Sequence, residues 1–183
     1  MSVESNKTLG GVGALLIAFG SFVPFLSIVG VILLFIALKG IADAYADNSI
    51  FMNALYGLIF LIIGAIAGGV VILGTFFGIG YTGGSMNFAD PIAVFTGIIV
   101  GAVIIFIFYV LSAIFFRRSF DTLATKSGEK MFATAGLLYL IGAILTIILV
   151  GLVLILIAWI LVAVAFFSMR STSAAPPPAP PPA

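Results

Sequence analysis

Hydrophobic positions gather into four long blocks, Leu9 to Leu38, Ile50 to Phe77, Pro91 to Phe116 and Met131 to Met169, with most of the polar residues between or outside them. Within a block Leu, Ile, Val, Phe, Ala and Gly follow one another continuously. Lipid offers a backbone no hydrogen-bond partners, so an element that spans it must be a helix or part of a closed barrel. Barrel strands alternate apolar and polar residues, and these runs do not. The pattern predicts an all-α integral membrane protein.

Two of the blocks are too long for one crossing. At 1.5 Å per residue a helix over Leu9–Leu38 would be about 45 Å long and one over Met131–Met169 about 58 Å. A bilayer core is about 30 Å thick. The first block breaks at Gly20-Ser21-Phe22-Val23-Pro24, where Pro24 suits the first turn of a second helix. The last block has no polar turn, and its weakest helical points are Thr146 and Gly151, with a β-branched run between them. The two central blocks suit one crossing each. The stretch GIGYTGGSMNFADP between them predicts irregular backbone, with Asp90 before Pro91 reading as a helix N-cap. The expectation is a six-helix transmembrane bundle over residues 1–170, in which two short helical hairpins flank two longer central helices. The first two helices hold only about fourteen strictly apolar residues each, about 21 Å. Either they extend into the polar flanks Ser2–Thr8 and Gly40–Ala46, or the outer turns of the hairpins are re-entrant.

Charge separates the counts. With six helices, the N-terminus, the segments near Lys39–Ser49 and Arg117–Lys130, and the C-terminus share one side. They hold Lys7, Lys39, Arg117, Arg118, Lys126, Lys130 and Arg170, which is every Lys and Arg in the chain. If each long block were a single helix, two of these cations would lie on one face and five on the other. Short loops rich in Lys and Arg stay in the cytoplasm. The expected location is the cell membrane, multi-pass, with both termini cytoplasmic and a retained first helix. Composition agrees: 63% of residues are hydrophobic and 7% charged, against roughly 25% charged in soluble domains. Cysteine and histidine are absent, which removes disulfides, thiolate chemistry and imidazole catalysis or ligation. A net charge of +1 implies no nucleic-acid partner.

The segment from Lys39, KGIADAYADNSIFMNALYGLIFLIIG, can be laid on that from Arg117, RRSFDTLATKSGEKMFATAGLLYLIG. Lys39, Asp43, Ala46 and Ser49 match Arg117, Asp121, Ala124 and Ser127. After a shift of one, Met52, Ala54, Gly57 and Leu58 match Met131, Ala133, Gly136 and Leu137. The matches describe either a parallel repeat of an elbow and the helix after it, or the coincidence common in apolar sequence.

Candidate chemistry is sparse. No Asp or Glu falls within an apolar block, where an ionisable group would mark function. The basic cluster Arg117, Arg118, Lys126 and Lys130, partly offset by Asp121 and Glu129, either holds anionic lipid headgroups or serves only as an orientation signal. Glycines four apart, Gly64 with Gly68, Gly74 with Gly78 and Gly97 with Gly101, suit close helix packing. A homodimer face and a glycine-lined pore are the other roles for such positions. Asn53 is expected to snorkel to water and Trp159 to pack inside the bundle. No phosphate-binding loop or catalytic carboxylate pair occurs, and no cofactor is implied. Residues 171–183 form a proline-rich cytoplasmic tail, disordered or polyproline II, which serves as a spacer or docks a cytoplasmic partner.

The stretches LGGVGALLIAFGSFVPFLSIVG from Leu9, ALKGIADAYADNSIFMNALYG from Ala37, SFDTLATKSGEKMFATAGLLYLIGAILT from Ser119 and LILIAWILVAVAFFSM from Leu154 resemble an archaeal membrane family of unknown function, the domain-of-unknown-function family 996. The resemblance implies a multi-helix membrane protein, and brings no reaction, ligand or site residue with it. The leading expectation is a non-enzymatic protein that scaffolds, or associates with partners, lipid or further copies of itself. A small channel or transporter for an uncharged or weakly polar solute is the alternative. A membrane enzyme would have to work with Asp43, Asp47, Asp121 and Glu129.

Overall fold

The computed structural model describes residues 3–20, 23–76 and 91–169. Among the described residues there are six α-helices and no strands: α1 (Val3–Phe19), α2 (Pro24–Ala44), α3 (Ser49–Phe76), α4 (Pro91–Ser127), α5 (Met131–Leu145) and α6 (Val150–Ser168). Five stretches, α2, α3, α4, α6 and α5 with the 3-10 turn that follows it, are long and apolar enough to cross a membrane. The 17-residue α1 falls just short. Pro24 opens α2 as expected. The last block breaks where the helix was expected to be weakest, in a 3-10 turn over Thr146–Ile148 followed by Leu149 in left-handed conformation (φ 61°).

The helices close into a ring at one end, and the contacts can be followed around it. Asn6 on α1 lies against Gly40 on α2. Phe35 on α2 meets Phe51 on α3, and the Ser119 hydroxyl on α4 donates 2.6 Å to the Ile50 carbonyl on α3. Phe120 on α4 faces Phe132 on α5, Phe132 meets Phe166 on α6 at 4.9 Å, and Phe166 lies over Gly10 on α1. This end therefore gathers the starts of α1, α3 and α5 and the ends of α2, α4 and α6. All six described cations, Lys7, Lys39, Arg117, Arg118, Lys126 and Lys130, belong to it.

One expectation is corrected. The polar segment near Arg117–Lys130 reads as a loop, yet α4 runs on to Ser127; α2 runs on to Ala44, into the polar flank that is one of the two alternatives for the first hairpin. The physical reason is local pairing. Lys39 bonds Asp43 at 2.8 Å and Arg117 reaches Asp121 at 3.5 Å, both one helical turn apart, a spacing that supports a helix. Only residues 45–48 and 128–130 are left as elbows. The polar flank at the N-terminus is likewise helical from Val3.

The elbows also set the register of the internal resemblance. α2 ends in a six-to-one turn, the Asp47 N–H donating to the Ala42 carbonyl, around Ala46 at φ 50°. α4 ends at Gly128, φ 73°, the residue that enters this conformation at least cost. The equivalent turn positions are thus Ala46 and Gly128, four residues out of step with the alignment of the sequences. Ser49 begins α3 whereas Ser127 ends α4. The ion pairs Lys39–Asp43 and Arg117–Asp121 do correspond, and α4 carries an extra turn beyond its pair.

Candidate functional site

Large rings fill the closed end of the bundle. Trp159 on α6 stands edge-on to Phe116 and Phe120 on α4 and to Tyr139 on α5, with centroids 5.5 to 6.2 Å apart. Phe35 reaches Phe116 from α2, and Tyr109 meets Tyr139. Edge-to-face rings in this distance range attract beyond their contact area. Phe116, Phe120, Phe132, Tyr139, Trp159 and Phe166 are all buried. Small residues admit them: Gly57 on α3 and Gly136 on α5, matched in the internal resemblance, both lie against α4, near Phe116 and near Arg117 and Phe120.

Around this plug runs a polar rim. Asp47 accepts from both the N–H and the hydroxyl of Ser49, at 3.0 and 2.6 Å, and so caps the start of α3. It also holds Lys126 at 3.1 Å, tying the end of α4 to the α2–α3 elbow. The Ser49 hydrogen bonds, and then Lys126, keep the Asp47 carboxyl below its ordinary range. Glu129 accepts from the Met131 N–H at the start of α5, and Ser127 accepts from the Glu129 N–H. Asp43, Asp47, Asp121 and Glu129 are each engaged in a cap or an ion pair. Among the described residues no three His, Cys, Asp or Glu side chains come together as a metal site.

The four rim cations do not converge on one point. Arg117 pairs with Asp121 and Lys126 with Asp47. The Arg118 guanidinium lies 5.5 Å from the centroid of Phe115, and Lys130 stands exposed at the start of α5. Lys126 is nine residues beyond Arg117, about 14 Å farther along the helix. The arrangement is a strip of positive charge beside an aromatic surface. Phe115 belongs to an outer stack with Tyr56 and Phe60 of α3, at 5.7 and 5.2 Å, and Arg118 is laid at its edge. Chemically the strip can hold anions at an apolar boundary, as Arg and aromatic side chains do at membrane surfaces.

Sequence reasoning missed two features of this end. Asn6 and Lys7 are buried, although they lie in the polar flank. Asn6 sits in the space that the missing Cβ of Gly40 leaves, with its carbonyl oxygen unpartnered. Lys7 lies 3.7 Å from Glu4. Gly10 and Gly11, three and four residues on from Lys7 and packed under Phe166 and Phe167, are the one signal of a buried face.

Of the glycines expected to pack helices, Gly64, Gly68, Gly97 and Gly101 lie on helix contacts. Gly64 meets Phe108, Gly97 meets Thr75, and Gly68 and Gly101 meet each other. A Cβ on Gly68 would stand 2.6 Å from the Gly101 carbonyl oxygen, and one on Gly101 would stand 2.8 Å from that of Gly68. The same reciprocal pairing recurs in the other hairpins, as Gly13 with Gly30 and as Gly142 with Gly151. Neither pair shows the four-residue spacing, since each joins two helices. Gly74 meets nothing within 4 Å. Its neighbour Gly78, the Asp90 cap, Arg170 and the tail 171–183 lie outside the described residues.

A family described as "Protein of unknown function (DUF996)" matches residues 26–160. An uncharacterised protein of the archaeon Methanocaldococcus jannaschii is 31% identical over 173 residues, covering 92% of this chain and 94% of its own. No solved structure matches.

Proposed function

The chain belongs to the DUF996 family of proteins of unknown function, and within it we propose a non-enzymatic membrane scaffold that associates with lipid. The observation that carries this reading is the ring-filled interior. A solute pathway through the bundle would have to displace Phe116, Tyr139 and Trp159, which fill it from three helices. The four rim carboxylates are likewise spent on caps and ion pairs, which leaves little for acid–base catalysis. The rim suits anionic headgroups, each cation near a charged surface contributing about 1 kcal/mol. Arg118 and Lys130 are the principal contacts, with Arg117 and Lys126 beside them. In this reading all six helices enter the membrane and the basic end faces the cytoplasm.

Glycerol and urea fluxes into proteoliposomes test the scaffold against its alternative. The scaffold predicts rates equal to those of protein-free vesicles, and a faster rate that Phe116→Ala alters would establish a channel instead. Headgroup binding is read by mass spectrometry of the detergent-released protein. The Arg118→Ala/Lys130→Ala variant should retain less phosphatidylglycerol than the wild type, and equal retention rejects that role for the rim. Orientation is read from thiol labelling in intact cells, since the chain has no cysteine of its own. Ser127→Cys should stay unlabelled by an impermeant reagent until the cells are opened.

A further inference from the structure

The helices of this protein do not share one apolar length. Apart from Asn53 near its start, α3 is predominantly apolar from Ile50 to Phe76, and α4 from Pro91 to Phe116, about 40 and 39 Å at 1.5 Å per residue. From Pro24 to Leu38, α2 carries about 22 Å, and α6 from Val150 to Ser168 about 28 Å. All four begin or end at the same closed, basic end, so the α3–α4 pair extends as an arm well beyond the shorter hairpins.

The described chain leaves the outer half of that arm uncovered. Between Phe60 and Phe76 and between Pro91 and Phe108 the buried residues are Gly64, Gly68 and Gly101, each closed off by the opposite helix of the arm. Ile66, Val70, Ile92 and Phe95 are all more than 60% exposed. Exposure is not confined to a stripe. Ile98, Ile99 and Val100 are successive residues on α4, so they point about 100° apart, and all three are exposed. A single protein partner covers one face, whereas fluid acyl chains cover every face.

A hydrocarbon core of about 30 Å cannot cover 39 Å of apolar helix lying upright. Tilting the whole molecule until it does takes about 40°, the upper limit for transmembrane helices. That tilt would shorten the span of α6 to about 21 Å. One thickness of bilayer therefore does not suit both parts. We propose that the outer half of α3 and α4 is a thickness-matching surface whose occupant is long-chain lipid, so that the protein gathers or seeks a thicker bilayer around its arm. The inference rests on insertion into a membrane and not on the scaffold reading.

The test uses the full chain with one cysteine added, either Ile66→Cys on the arm or Ile32→Cys on α2, both at exposed positions. Each is labelled with a small fluorophore and reconstituted into phosphatidylcholine vesicles with chains of fourteen, eighteen or twenty-four carbons. Competition with a brominated eighteen-carbon quencher then gives the relative affinity of each site for each lipid. The arm label should prefer the longest chains over the shortest by about threefold or more, and the α2 label should not. Equal preferences at the two positions would overturn the proposal. So would an arm label that no brominated lipid quenches while the α2 label is quenched, because a second copy would then cover the arm. Extraction of the protein by alkaline carbonate would overturn it together with the membrane reading, whereas solute flux through the same vesicles would remove the scaffold reading alone.

Discussion

At the basic end six helices meet around interlocking rings, while at the far end, among the described residues, two helices meet only each other, through glycines. Both regions are built from the same apolar residue types. In lipid no hydrophobic effect drives one helix against another, so association depends on how closely atoms can pack. The closed end achieves this with bulk, Trp159 touching α4 and α5 at once. The arm achieves it by removing bulk, the Gly68 and Gly101 backbones approaching where any side chain would intervene. Ring packing distributes its contacts over α2, α4, α5 and α6, so one substitution disturbs several interfaces. Glycine packing is pairwise, so its loss stays within the arm.

The largest effect should come from removing a ring at the closed end. Phe116→Ala should cost about 3–5 kcal/mol in unfolding by dodecyl sulfate in mixed micelles, whereas Phe95→Ala on the arm, 66% exposed, should cost less than about 0.5 kcal/mol. Similar costs at both positions would abolish the distinction between the regions. Next comes the glycine pair. Gly101→Leu should destabilise the arm by about 1–3 kcal/mol and raise amide exchange around Gly68. The fluorescence of Trp159, the one tryptophan in the chain, should stay unchanged. Gly69→Leu, where a Cβ meets nothing within 4 Å, should fall within about 0.5 kcal/mol of the wild type. A Trp159 response to Gly101→Leu would mean that the arm and the closed end unfold as one.

A smaller effect is expected where α3 meets α4 within the closed end. Ser119→Ala removes the buried hydrogen bond to the Ile50 carbonyl and should cost about 1 kcal/mol by the same denaturation. The smallest effect belongs to Asp47, which ties the elbow to Lys126. Its pKa is lowered in the folded protein by the Ser49 hydrogen bonds and Lys126. The stability it contributes is therefore complete above the unfolded-state pKa and lost as pH falls through the folded value. Asp47→Asn should be slightly less stable than the wild type at neutral pH, and the gap should close in strong acid. A gap that persists there would assign the effect to the cap geometry and not to the charge.

The helical character of the described chain, the place of most of its breaks and the end that collects the cations all follow from the linear order of residues. Continuous apolar runs, Pro24 and the weak point near Thr146 depend on local chemistry, which a linear reading captures. It also held the cue for the extended ends of α2 and α4, in the one-turn spacing of Lys39 with Asp43 and Arg117 with Asp121. For α4, polarity outweighed that cue. Of the glycines marked by spacing, Gly64, Gly68, Gly97 and Gly101 lie on the α3–α4 contact, while Gly74 lies in open space. Which faces meet does not follow from that linear order. The pairs Gly13–Gly30 and Gly142–Gly151, the burial of Asn6 and the convergence of Phe116, Tyr139 and Trp159 all depend on the register between helices. A soluble helix announces its inner face by an apolar stripe, but these helices are apolar all round. Where every side of a helix is apolar, hydropathy cannot mark the buried one, and shape complementarity between neighbours decides it.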